Sequence, residues 1–127
     1  MKLIDVVAGY EAIERISGQV KKFRSGYMLA VLQKKLSTAY DEYQKRRLEL
    51  VDKYGREPNP DNPDEKAFNG KFVPPNTEEF DKFIKDYSAL VQEEVDITFK
   101  PIPPEVLFDE DIPFDQARGL LPFIKEE

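Results

Sequence analysis

The sequence predicts an α+β chain that is mostly helical: a long antiparallel helical hairpin with a small β-hairpin insertion and one further strand. Three observations predict it. Segments 27–54 and 77–94 repeat apolar residues at helical spacing; a proline-rich stretch, 55–76, lies between them and holds an Asn-Gly turn; and Val95 to Lys100 alternates apolar and polar residues. The 127 residues are expected to form one domain, made of a basic helical half (1–54), a Pro-rich loop with its hairpin (55–76), and an acidic helix, strand and tail (77–127). A chain of this size can bury roughly two thirds of the surface it exposes when unfolded, enough for a modest core without staples.

Ile4, Val7, Ala8, Glu11, Ala12 and Ile16 approximate helical spacing, so 3–17 reads as a short amphipathic helix stopped near Gly18. Residues 19–24 then form a connector with a basic cluster. In 27–54 the positions Leu29, Leu32, Leu36, Ala39, Tyr43, Leu50 and Tyr54 follow an a/d stripe, with Arg46 or Arg47 where one member is missing. Ser25 or Gly26 is placed to cap this helix, and Gly55 to follow its last turn.

Stretch 55–76 holds five of the ten prolines, which no helix interior accepts. Within it, Lys66-Ala67-Phe68 and Lys71-Phe72-Val73 flank Asn69-Gly70, the dipeptide that tolerates the positive φ angles of a type I′ turn. A lone hairpin is marginal, so Phe68 or Phe72 must either pack on another element or project as a contact. Asn76 with Glu79 three residues later reads as a capping box for the next helix, whose stripe is Phe80, Phe83, Ile84, Tyr87, Leu90 and Val91. Pro101, Pro103 and Pro104 end the strand at Val95–Lys100. Phe114, Ala117, Leu120 and Leu121 predict a short helix before Pro122, in a tail apolar enough to be packed down rather than disordered.

With no Cys and no His, thiol nucleophiles, Cys-ligated zinc, Ser-His-Asp catalysis and two-His metal motifs are all excluded. Asp109-Glu110-Asp111 with Asp115 could offer oxygen ligands, but the spacing matches no EF-hand loop, and a solvated acidic turn is the plainer reading. Asp61, Asp64 and Glu65 read the same way. No carboxylate pair, Ser-Lys dyad or phosphate-cradling glycine loop stands out, so no enzyme activity, metal, cofactor or small-molecule substrate is expected.

The net charge of −6 is unevenly spread: residues 1–54 hold 11 Lys+Arg and 7 Asp+Glu (+4), and residues 55–127 hold 8 and 18 (−10). The halves could dock on one another or give a subunit that associates head to tail. Lys34 and Lys45, eleven residues apart, share a helix face after about three turns. They could meet phosphates, yet a net acidic chain is a poor default for nucleic acid, and such residues usually form the wet side of a helix. Partner contacts are therefore expected at Phe68, Asn69, Gly70 and Phe72 in the hairpin, with Lys34 and Lys45. The opening residues lack the apolar run of a secretory signal, because Asp5, Glu11 and Glu14 interrupt it, and no segment approaches a membrane span; a soluble chain, cytoplasmic at synthesis, is expected.

Four stretches carry a resemblance: LVDKYG at Leu50–Gly55, the Asn-Gly turn, the run from Glu78 to Ile102, and the closing segment from Asp111 onward. Through them the chain resembles a family of small proteins of unknown function from tailed bacteriophages and prophages. The resemblance implies a phage-encoded, non-enzymatic protein made in the host cytoplasm. It would act by protein–protein interaction, with a phage or host partner or with itself, as a virion or tail component or an assembly factor. The alternative is a small phage inhibitor of a host defence or transcription protein, its acidic half mimicking nucleic acid. The family has no assigned catalytic residues to carry over.

Overall fold

A computed structural model describes residues 1–57, 61 and 71–126. It is mostly helical: α1 Leu3–Ile16, α2 Phe23–Tyr54, α3 Glu78–Val91, and the short α4 Glu105–Phe108 and α5 Phe114–Ala117, the last continuing as a 3-10 segment over Arg118–Phe123. The chain divides into two compact units, Met1–Tyr40 with Glu94–Glu127, and Asp41–Glu93. α2 runs through both, and the division does not follow the charge boundary at Tyr54.

In the first unit α1 buries Leu3, Val6, Val7, Gly9, Ala12, Ile13 and Ile16. The expected stripe was turned slightly from this one, for Ile4 and Ala8 face solvent. Gly9 explains the rotation. The Phe123 ring presses so closely on it that a Cβ there would stand 2.3 Å from Cε2. Phe123 is completely buried and meets Phe99 edge-on at 5.1 Å between centroids. The tail is thus packed down as expected, against α1, and Leu120 is buried beside it. Beside α1, the first turns of α2 bury Leu29, Leu32 and Leu36, and Tyr10 stacks on Tyr40 with centroids 3.9 Å apart.

Two local expectations fail in this unit. The further strand at Val95–Lys100 does not form, because among the described residues no neighbouring strand offers it a ladder. It is bordered instead by isolated bridges, Lys2 with Glu94 and Ile102 with Ile124. The alternation itself survives, with Val95, Ile97 and Phe99 half-buried between exposed Asp96, Thr98 and Lys100. Ser25 does not cap α2 either: the helix begins at Phe23, and Ser25 lies inside it, buried, donating from Oγ to the Val106 carbonyl at 2.9 Å.

In the second unit Arg46 pairs with Glu93, and two turns later the Tyr54 hydroxyl donates to Asp86 at 2.6 Å, so residues 41–54 of α2 and α3 run antiparallel. The Tyr43 and Tyr87 hydroxyls share a hydrogen bond of 2.8 Å between them. The cap of α3 is Thr77, not Asn76: its Oγ1 accepts from the Phe80 amide at 3.1 Å. Asn76 sits at φ 61°, a left-handed turn residue for which asparagine is well suited, and so cannot take the extended conformation a cap needs. Phe68, Asn69 and Gly70, where a β-hairpin was expected, lie outside the described residues. The described flank shows one antiparallel bridge, Arg56 to Phe72, with N–H···O distances of 2.7 and 2.6 Å. Among the described residues bridges of this kind are the only β structure.

Candidate functional site

The segment leading into α2 and the chain around α4 and α5 lie side by side. Ser25 Oγ bonds Val106 O; Lys22 Nζ pairs with Asp109 at 3.3 Å; the Lys21 and Lys22 amides both donate to the Glu110 carboxylate at 3.0 Å; and the Gln19 side-chain amide donates to Gln116. One partner's numbers fall as the other's rise, so residues 19–25 and 106–116 form an antiparallel seam.

Glu110 is the pivot of the seam. The amides at the start of a helix have no partner in their own turn. Here a carboxylate nearly ninety positions along the chain satisfies two amides just ahead of α2, where the helix dipole also favours negative charge. The Lys21 amide first, and the Lys22 amide and ammonium after it, hold the Glu110 carboxyl below the usual carboxylate range. The Lys22–Asp109 ion pair is well exposed and adds little, about 0–1 kcal/mol. The acidic run thus supplies the carboxylate that organises the start of α2. Among the described residues no group of three or more carboxylates is placed to hold a metal.

On either side of this polar stitching stand large aromatic side chains left in solvent. Phe23 is 85% exposed and Tyr27 60%, stacked on each other with centroids 5.9 Å apart; across the seam Phe108 is 73% exposed and Phe114 61%. Phe23 is one residue from Lys22 and two from Ser25, and Phe108 is one from Asp109 and two from Val106, so each ring is a close neighbour in the chain of the seam contacts. A shallow depression of about 440 Å³ lies between the rows, lined by Gln19, Lys21, Lys22, Asp109, Glu110 and Asp111. None of the four exposed rings lines it, unlike the aromatic-walled pockets that enclose small ligands.

The described residues singled out from sequence, Lys34, Lys45 and Phe72, do not lie in this seam. Lys34 and Lys45 are both exposed, one in each unit, and Lys45 sits among Asp41, Glu49 and Asp52. Phe72 is half-buried, with the Arg56 guanidinium 5.5 Å over its ring. Phe68, Asn69 and Gly70 are outside the described residues. The seam aromatics were missed for a definite reason. Starting α2 at Tyr27 left Phe23 in a connector and hid the i, i+4, i+8 row of Phe23, Tyr27 and Val31, which lies off the buried Leu29–Leu32–Leu36 stripe. Phe108 and Phe114 bracket an acidic run that reads locally as a solvated turn.

The opposite charges of the two sequence halves do meet within the chain. Lys22 with Asp109 joins them in the first unit, and Arg46 with Glu93 in the second. No helix among the described residues is long and apolar enough to cross a membrane. Compared with known proteins, the chain matches no family model, no curated sequence and no solved structure.

Proposed function

We propose that this is a non-enzymatic protein that works by docking, with the aromatic seam as its contact surface, and that it serves a tailed phage or prophage as a virion or tail component or an assembly factor. The observation that carries the docking role is the exposure of Phe23, Tyr27, Phe108 and Phe114 on two segments that are themselves locked together. Aromatic side chains on a preorganised backbone are the usual anchors of protein interfaces, because they bring large area at small ordering cost. The phage setting rests on the sequence resemblance.

The test is mass spectrometry of particles purified from a strain that carries the gene. The wild-type chain should be present and the Phe23→Ser/Phe108→Ser variant absent, although the variant is folded by circular dichroism. Equal incorporation of both would remove the seam from the account. Absence of the wild-type chain from particles, with expression early in infection, would favour the inhibitor of a host protein instead.

A further inference from the structure

We infer that the outer face of α2 over residues 23–35 is a docking site for an acidic amphipathic helix of a partner protein. The inference rests on the reading of this protein as one that works by docking, and it names the chemistry of what docks.

Over this stretch α2 has one buried side and one bare side. Ser25, Leu29, Leu32 and Leu36 are buried. At about 100° per residue these four share one direction, and Phe23, Tyr27, Ala30, Val31 and Lys34 fall within about 60° of the opposite one. All five are exposed, Phe23 at 85%, Tyr27 at 60% and Val31 at 42%. Arg24 and Lys35, exposed as well, border the same face. The face is therefore an apolar ridge set among cations, with Phe23 stacked on Tyr27 at its start. No Asp or Glu occurs in the sequence between Glu14 and Asp41, and among the described residues Arg24, Lys34 and Lys35 are held in no ion pair.

The occupant follows from charge, shape and length. Three cations around an apolar row call for carboxylates around a matching one, the arrangement that fixes register and excludes wrong partners. A row at i, i+4, i+8 is also the ridge that fits a groove on a second helix. From Phe23 to Lys35 the face is ~18 Å long, the length of about twelve helical residues. In the sequence it is followed by Asp41 and Glu42. An extended polyanion, whether nucleic acid or an anionic lipid surface, carries its charge well past that length and meets a chain of net charge −6. A short acidic helix ends where the cations end. The receiving face needs little ordering, because Glu110 and the Ser25–Val106 bond already fix the start of α2.

Site-specific cross-linking gives the experiment. Tyr27 is replaced by the photo-cross-linker benzoylphenylalanine, the full chain is irradiated in a strain that carries the gene, and the peptide joined to it is sequenced. The adduct should be a segment of another protein with an apolar row at helical spacing bordered by Asp and Glu. Lys34→Glu/Lys35→Glu in the same background should lower the adduct yield at least tenfold, and Lys34→Arg/Lys35→Arg should keep it, with circular dichroism confirming that both variants are folded. An adduct to a basic or uncharged segment, to a second copy of this chain, to nucleic acid or to lipid would overturn the inference. So would the absence of any adduct, or a yield indifferent to charge reversal. If one of these results is found while Phe23→Ser/Phe108→Ser still abolishes particle incorporation, the docking reading stands and only the acidic helix is lost.

Discussion

Phe123 and Phe23 are the same residue in the same unit, and they sit at opposite extremes: one has no exposed surface and the other has 85% of its surface in water. Phe123 closes the core under α1, between Gly9 and Phe99. Phe23 stands at the first turn of α2, on a stretch whose own hydrogen bonds are satisfied by Glu110 and Val106. The difference shows that this unit was not short of places to bury a ring. Its core is complete without Phe23, Tyr27, Phe108 and Phe114, and their exposure is left for something else to use.

The sharpest way to break the comparison is to make both rings small. Phe123→Ala should cost about 3–5 kcal/mol, as the loss of a fully buried aromatic does, read as a fall in the denaturant midpoint. A small effect there would mean the tail does not belong to the core. Gly9→Ala attacks the same contact from the other side. With a Cβ 2.3 Å from the Phe123 ring, it should cost about 1–3 kcal/mol through overpacking, and Gly9→Ala combined with Phe123→Leu should cost less than the two changes summed.

The seam responds to pH where the core does not. Because the Lys21 and Lys22 amides hold the Glu110 carboxyl below its ordinary value, the contribution of this contact is complete above the ordinary carboxylate range and is lost as pH falls through the lowered folded value. The Lys21 and Lys22 amide resonances should therefore titrate together at a pH below the ~4.3 of a free glutamate, and Glu110→Gln should abolish that titration. Titration at the ordinary value would mean the carboxylate does not hold the helix start. The smallest expected effect is at Phe23 itself. Phe23→Ser, at an exposed position, should leave the stability of the isolated chain within about 0.5 kcal/mol.

The comparison also marks what could be read from the residues in order. The buried stripe of α2 at Leu29, Leu32, Leu36 and Tyr43, and the existence of α3, follow from periodicity alone, because both are repeated several times within one element. The face of α1 was displaced because apolar neighbours, Leu3 beside Ile4 and Val6 beside Val7, permit two stripes, and only the arrival of Phe123 on Gly9 selects one. The alternation of Val95–Lys100 gave the correct inward residues but could not supply a neighbouring strand. The seam was the least legible part. A helix start satisfied by Glu110, nearly ninety residues away, leaves no local pattern, and without it the start of α2, the row of Phe23 and Tyr27, and the pairing of Lys22 with Asp109 all stay hidden.

The central claim is that the seam rings serve contact with a partner and not the fold, and the unfolding midpoint of the isolated chain tests it most directly. The Phe23→Ser/Phe108→Ser variant should match the wild type at high dilution to within about 1 kcal/mol, since both rings are exposed. A variant destabilised at high dilution by about 2 kcal/mol or more would contradict the account, because it would place these rings in the core.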